Sequence, residues 1–499
     1  MAQLKLNTKL DEIAVTKSKN PQYLACGLLC IGGFLGGTIT GWSSPGLPSI
    51  QASGKFSLLP SDLSWIASIV QLGLVLSAPT AGYMIRKFGR KNTLLFSSIP
   101  FLIGSTVLAF PVQVWMFFVG RFLDGFGLGL SIIAGSIYLS EISEPNLRGS
   151  LGVVWFVSIR LGVLFSYGVG SLISHDKLSG ISAILSVVFG LSVLFLPESP
   201  RWLMAKWKTQ LATNSLCWLR ACDKGKPSAE ILLEIDAIQD AVIRAEINSK
   251  TLTIATIIGD RSIFKPVLIA NALMFFKEAC GGMVFSSFAV QIFDQTGSAL
   301  SSHLSGIAVG VAQLISLFVT TYYVDKVGRR ILLKLTYITL TISLVLIGLF
   351  YEFRTDIESK LTANQAGWIP LVIFLIYHAA YSGGPFVLTW TVCSEIIPSN
   401  VIGSVSGLAS AFGWLSSFAF TRYYQDMNDS IGIANTFFLY AIFSLMGAAC
   451  IHLIVPETVG QTLENIHQHR NQEDCKNKEN IRMKKDARCC YFTIERNTK

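Results

Sequence analysis

Charge is what this sequence has least of: Asp, Glu, Lys and Arg make up 14% of its 499 residues, against about 25% in soluble globular domains. Histidine is rarer still, with six in the chain, and none falls in a metal-ligand pattern. The ten cysteines include no C-x-x-C pair, so neither a zinc site nor a disulfide framework is indicated. Cys26 and Cys30, one helical turn apart, read as small buried hydrophobes. No Ser-His-Asp set and no phosphate-cradling glycine loop is placed to act, so the chain is not expected to be an enzyme or to hold a cofactor. "GFGLG" (125–129) lies in an apolar run, where glycine permits close helix packing. No cleavable leader is expected: the first twenty residues are polar, and the first apolar block, Tyr23–Gly41, has no small-residue cleavage site and reads as a first spanning helix.

Apolar length is what the sequence has in abundance. Hydrophobic residues make up 51% of the chain and mean hydropathy is +0.52. Runs such as "LLFSSIPFLIGSTVLAFPVQVWMFFVG" and "TYITLTISLVLIGLFY" recur, and about 20 such residues cross a bilayer as a helix. The expected fold is an all-α membrane protein of about twelve spans, starting near 23, 62, 93, 115, 149 and 178, then 263, 303, 331, 367, 402 and 431. This divides the chain into an N-terminal tail (1–22), a first six-helix bundle (23–196), a polar linker (197–262), a second bundle (263–455) and a C-terminal tail (456–499). The linker contains "ILLEIDAIQDAVIRAEI", too charged to span and suited to short amphipathic helices.

The net charge of +9 does not point to nucleic acid, because it is unevenly placed. Basic residues gather in alternate loops, "RKFGRK", "RWLMAKWK" and "DKVGRR", and the other loops hold few. That asymmetry is the positive-inside pattern and puts both termini in the cytosol. Membrane lipid is therefore an expected partner, and no obligate protein partner is implied.

The two halves echo one another in order. "FGRK" (88–91) is matched by "VGRR" (327–330), "EISEPNLRG" (141–149) by "EIIPSNVIG" (395–403), and "PESPR" (197–201) by "PETVG" (456–460). Two repeat-related bundles with a site between them near the midplane are the plan of alternating-access carriers. With "GRFLDGFGLG", "VDKVGRR" and the "GP" before Trp390, these motifs resemble the sugar porter family of the major facilitator superfamily over nearly the whole chain. "SSPGLPS" after the first helix resembles the insect transporters of trehalose and hexoses. The resemblance implies a plasma-membrane carrier for a hexose, trehalose or polyol, working by alternating access. An acid in helix 1, usual in proton-coupled relatives, is absent here, so facilitated diffusion is expected.

The resemblance also implies a gate. In the family, basic groups and carboxylates at the cytosolic ends of the helices pair across the bundles when that side is closed and part when it opens. Arg86, Arg90, Glu141, Arg148, Glu198, Arg201, Asp325, Arg329, Arg330, Glu395 and Glu457 fall at such positions. Charge-assisted hydrogen bonds suit the task, being directional and breakable. This chain departs from the pattern twice: Arg86 stands where the family has an acid, and Ile402 where it has an arginine. A compensating pair between Arg86 and Glu395 is the expectation.

At the implied sugar site the aromatic half is retained and the amide half is not. Trp390, Trp414 and Gln313 match family positions. Lys277 and Glu278 replace two glutamines, Met283 an asparagine, Phe156 a glutamine and Ser382 a glutamate, and Gly413 stands at the asparagine beside Trp414. Arg160, one helical turn beyond Phe156, shares its face. An intramembrane charge costs roughly 2.5 kcal/mol or more against lipid. Lys277, Glu278 and Arg160 are therefore expected in a hydrated centre, with Glu278 neutralised by Lys277 or Arg160. They read either as groups that pair with a polar or charged solute or as a structural lock. Asp124, three residues after Arg121, is expected to neutralise it locally.

Two smaller features remain. Asn428 opens an N-x-S sequon expected in an extracellular loop, and "RMKKDARCCYF" in the tail has the composition of a lipid-attracting, palmitoylatable segment, or of a solvated one. Two functions stay open on sequence alone: a carrier for a sugar or another polar or charged solute, and a non-transporting membrane receptor on the same fold.

Overall fold

The computed structural model describes residues 19–222, 229–249, 261–360, 362–397 and 402–457. The side chains of Asp325 and Ile402 and the tail segment "RMKKDARCCYF" lie outside this description. Backbone N–H and C=O groups in hydrocarbon have no water to bond, so a spanning segment must satisfy them internally. The described residues accordingly form helices and no strands.

The first half comprises α1 (Asn20–Gly41), α2 (Ser43–Ser53), α3 (Pro60–Phe88), α4 (Arg90–Ala109), α5 (Val114–Ile142), α6 (Pro145–Gly170) and α7 (His175–Leu194). Three linker helices follow: α8 (Pro200–Ala205), α9 (Thr209–Leu219) and α10 (Ala229–Ser249). The second half comprises α11 (Arg261–Ala279), α12 (Gly282–Ser287), α13 (Ala289–Thr296), α14 (Ser302–Val327), α15 (Arg329–Glu352), α16 (Arg354–Lys360), α17 (Ala363–Gly383), α18 (Pro385–Ile396), α19 (Ile402–Ile431) and α20 (Ile433–Ile454). Among the described residues, eleven helical segments are long and apolar enough to cross a membrane, and the 30-residue α19 lies among them against α3 and α11. The protein is thus a multi-pass membrane protein. Span starts fall within about one turn of those read from hydropathy.

Glycine and proline set the helix boundaries. Proline opens α3, α6 and α18, where its missing N–H would have no intrahelical partner anyway. α4 and α15 begin after Gly89 and Gly328, at φ +97° and +101°. That left-handed conformation lets a carboxylate approach the helix start. Glu198 Oε1 accepts from the N–H groups of Arg90 (2.9 Å), Lys91 (3.1 Å) and Ser199 (2.8 Å). A Cβ on Gly89 would sit 2.2 Å from Glu198 Oε2, and one on Gly328 2.9 Å from Glu457 Oε2. The repeated "FGRK…PESPR" and "VGRR…PETVG" are therefore one device used twice, an acid at the positive end of a helix. Burial pushes the Glu198 carboxyl above its ordinary value, and the three N–H groups pull it back.

Three helical rods are interrupted along their length: α1/α2 at Trp42, α11/α12 at Gly281 and α17/α18 at Gly384. Gly281 has φ +87°. It ends α11 just after Lys277, a cation placed favourably in a last turn, and the freed Cys280 carbonyl accepts from Tyr377 Oη at 2.8 Å.

In the first bundle α1 packs on α6, α3 on α5, and α4 on both α5 and α7; in the second, α15 packs on α20, α14 on α17 and α11 on α19. The bundles meet through α3 with α19 and α6 with α14. The end bearing α8–α10 is called the linker end here, and the opposite one the far end. Arg220 ties the linker helices together and to the first bundle: Nη2 donates to Glu234 (2.7 Å), Nη1 to the Ile142 carbonyl (3.2 Å), and Nε lies 3.5 Å from Glu144. Asn428 is not in a loop but inside α19, half-buried, its Oδ1 out of solvent. The helix continues because nothing before Gly432 breaks it, and a helical sequon is poorly presented for glycosylation.

Alanine at Gly281 is expected to cost about 1–2 kcal/mol for the left-handed backbone, and more because its Cβ would lie 2.6 Å from the Phe285 ring. Gly281→Ala should lower the melting midpoint of the purified protein, and Gly152→Ala, whose Cβ meets nothing within 4 Å, should not. Equal midpoints would contradict the assigned break.

Candidate solute site between the bundles

A polar cluster lies where α6 of the first bundle faces α14, α17 and α18 of the second. Arg160 on α6, 4% exposed, donates through Nη1 to Gln313 Oε1 on α14 at 3.0 Å. With that oxygen occupied, Gln313 presents its NH2, which lies 3.1 Å from His378 Nδ1 and 3.4 Å from Ser286 Oγ. An amide N–H can only donate, so His378 Nδ1 accepts, and the imidazole is neutral with its proton on Nε2. Ser382 Oγ donates to the Gln313 backbone carbonyl at 2.9 Å. The Arg160 guanidinium lies flat on Phe386, 3.6 Å from the ring centre, and Phe156 meets the same ring edge-on at 6.0 Å. Tyr381 packs beside Phe386 at 6.3 Å.

Lys277 and Glu278, 6% and 2% exposed, are ion-paired to each other. Of the two partners expected for Glu278, Lys277 is therefore the one used, and Arg160 is engaged with Gln313. Lys277 Nζ also lies 5.7 Å from the Trp390 ring centre. Trp390 and Trp414 face each other at 6.5 Å, tilted by 49°, and Trp414 packs into the core of the first bundle. Met283 is half-buried on α12, on the far side of the Gly281 break. The structure thus gathers Phe156, Arg160, Gln313 and Ser382 around one centre, with Lys277, Glu278 and the tryptophans as a second group. His378, Tyr381 and Phe386 were not found by sequence reasoning. The signal was present, since a lone histidine in the apolar run "FLIYHAAYSGGPF" precedes a Gly-Gly-Pro break, and intramembrane polar groups gather at broken helices.

Arg121 and Asp124 lie close enough for their charges to act on each other, but each makes its hydrogen bonds elsewhere. Arg121, 1% exposed, donates to the Ile39 carbonyl (2.8 Å), Ser43 Oγ (2.7 Å) and the Ile66 carbonyl (3.4 Å), and lies 4.9 Å from the Trp42 ring centre. The α1/α2 break frees the Ile39 carbonyl, and a guanidinium satisfies such a helix C-terminus better than a short carboxylate one turn away could satisfy the guanidinium. Asp124 Oδ1 accepts from Ser105 Oγ at 3.1 Å instead.

The linker-end charges pair within bundles. Arg90 Nη2 bonds Glu141 Oε1 at 2.7 Å. Arg329 Nε lies 3.4 Å from Glu395 Oε1, so Glu395 is taken by its own bundle and not by Arg86. Arg86, Arg148 and Arg201 are exposed, and Arg330 donates to the His452 carbonyl. Among the described residues, hydrogen bonds and ring contacts between bundles lie at the centre or beyond it toward the far end. There Tyr167 Oη donates to the Ser286 carbonyl (2.9 Å), Val290 N–H to Ser44 Oγ (3.3 Å) and Gln291 to Gln51 (3.4 Å), and Trp65 packs on Phe418 (5.7 Å). One continuous apolar core, including Trp42, Ile66, Tyr167, Phe288 and Phe293, crosses the junction.

Comparison with known proteins places this arrangement. The facilitated trehalose transporter Tret1 of Polypedilum vanderplanki is 31% identical over 447 residues, covering 89% of this chain and 87% of that one. Its namesake in Drosophila pseudoobscura pseudoobscura is 32% identical over 448 residues, of which this chain spans 50% of the length. Among solved structures, the proton:xylose symporter XylE bound to 6-bromo-6-deoxy-D-glucose superposes with a TM-score of 0.73 at 22% identity, covering 90% of this chain and 99% of that one. The inward open conformation of XylE from E. coli gives 0.73 at 21% identity with the same coverage. These solved structures share the major facilitator fold. The sequence profile described as "Sugar (and other) transporter" matches residues 3–469, and with the repeated bundles and the polar centre between them, it establishes that the chain belongs to that family.

Proposed function

We propose that this protein carries a sugar across the plasma membrane by facilitated diffusion, with both termini and the linker end cytosolic and the far end extracellular. The observation that carries this reading is the buried centre itself. Polar side chains lie between two repeat-related bundles, Arg160 on α6 of one and Gln313 on α14 of the other. A structural lock would not need to straddle a junction at one end of which Arg90–Glu141 and Arg329–Glu395 each close within their own half. The named relatives transport trehalose, which supports a sugar as the solute. The absence of any acid on α1, and the burial of Asp124 against Ser105 within the first bundle, support transport without a proton.

On this reading the structure represents the state closed to the outside. The far end is sealed by Trp65–Phe418, Tyr167–Ser286 and the apolar core, and the linker-end carboxylates are held by arginines of their own bundle. To expose the centre outward, the far-end contacts must part and the linker ends must approach, freeing Glu141 and Glu395 to exchange partners. Lys277 and Glu278 keep each other's charge out of lipid through this movement, because both sit on α11.

Two outcomes test the reading. Cells expressing the protein should show saturable uptake of hexose or trehalose. Joining Gln51→Cys to Gln291→Cys with a short bis-methanethiosulfonate cross-linker should abolish that uptake, while the single variants retain it. Uptake unaffected by the cross-link would show that the far end need not open. For the ion pair, Glu278→Gln should destabilise the protein by about 3–5 kcal/mol by stranding a buried ammonium. Lys277→Gln with Glu278→Gln should recover most of that loss in melting midpoint. A double variant no more stable than the single one would remove the pair from this account.

A further inference from the structure

The Arg160 guanidinium is only partly used. Of its five N–H groups, one on Nη1 serves Gln313, and the guanidinium lies over the Phe386 ring. Nε and Nη2 are buried and have no hydrogen-bond partner. These two nitrogens lie on one edge of the planar group, and their N–H bonds point the same way. Together they form the fork that accepts both oxygens of one carboxylate. The charge is also unbalanced. Glu278 is held by Lys277, His378 is neutral by the hydrogen-bond direction derived above, and no carboxylate pairs with Arg160 among the described residues. One positive charge is therefore left inside the membrane, at the junction of the bundles, with a bidentate site facing away from its neutral partner. Beside it, the Tyr381 hydroxyl is buried and likewise without a partner, free to bond a hydroxyl of the same ligand.

We infer that the solute is a sugar acid, a hexose-sized molecule whose single carboxylate docks on the Nε–Nη2 edge of Arg160. The inference rests on the sugar-carrier reading and narrows it. A neutral sugar could offer hydroxyl oxygens to the fork but would leave the charge uncompensated. A phosphate ester would bring more negative charge than the one guanidinium balances. The replaced amides fit this solute: positions that would read hydroxyl patterns are apolar here at Phe156 and Met283, and the anchor has become ionic.

The test uses the full chain in voltage-clamped oocytes and, purified, in binding assays with glucuronate, glucose and glucose 6-phosphate. Glucuronate is expected to bind in preference to glucose, to compete with it, and to evoke an outward current as the anion enters, while glucose uptake is electrically silent. Arg160→Lys keeps the charge and removes the fork. It should lower the preference for glucuronate over glucose about tenfold or more, the effect of losing one charge-assisted hydrogen bond, and Arg160→Gln should abolish the preference. Should Arg160→Gln fail to fold, the wild-type preference and current still decide the matter. Saturable glucose uptake with no binding or current from glucuronate would overturn this inference and leave the sugar carrier standing. Preference for glucose 6-phosphate over glucuronate would overturn the carboxylate assignment. Binding and uptake of none of the three, with no uptake of trehalose either, would overturn both readings.

Discussion

One contact organises the middle of this molecule: a guanidinium from the first bundle on an amide from the second, inside a membrane. Neither group is tolerable there alone. Arg160 needs an acceptor and a flat face, and takes them from Gln313 and Phe386. Gln313 must then turn its NH2 to His378, which fixes that imidazole as a neutral acceptor. Because the first link crosses the junction, the chain of donors and acceptors is complete only while the bundles are together at this level. The low dielectric that makes each bond strong also makes each unpaired group costly, so the junction favours discrete arrangements over gradual opening.

The same economy appears at the linker end, where the repeat becomes physical. A glycine in left-handed conformation starts α4 and another starts α15, and each admits a carboxylate from the end of its bundle, Glu198 or Glu457. The next arginine in each half reaches a second carboxylate, Glu141 or Glu395. Each half thus carries its own set of neutralised charges, which is what allows the two halves to separate there without stranding a charge.

Much of this could be read from sequence, and the reason is the membrane. Hydrocarbon demands long apolar helices, so span number and order followed from hydropathy, and motif repetition gave the two halves. Gln313, Phe156, Arg160 and Ser382, singled out in the sequence, lie around one centre in the structure. What could not be read was side-chain direction across distance. Arg121 and Asp124 sit one turn apart, yet each bonds elsewhere, because a helix break in α1 offered Arg121 a better acceptor. Glu395 pairs with Arg329 of its own bundle, and Arg86 is exposed. His378 and Tyr381 lay in an apolar run, and only the folded chain shows that they face Arg160 and Gln313. Asn428 looked like a loop residue because its neighbours are polar, but no glycine interrupts the helix until position 432.

The central claim is that, among the described residues, hydrogen bonds and ring contacts join the bundles at the centre and far end, while the charges at the linker end pair within their own bundle. It is tested most directly by spin-label distances in lipid, in a background without reactive native cysteines. One label pair should report the far end (Ser53→Cys with Gln295→Cys) and another the linker end (Asn92→Cys with His452→Cys). The account predicts a short, narrow far-end distribution in the solute-free protein and a longer one at the linker end, with the two moving in opposite directions when solute is added. A far-end pair that is already long and broad without solute, over a short linker-end pair, would contradict it.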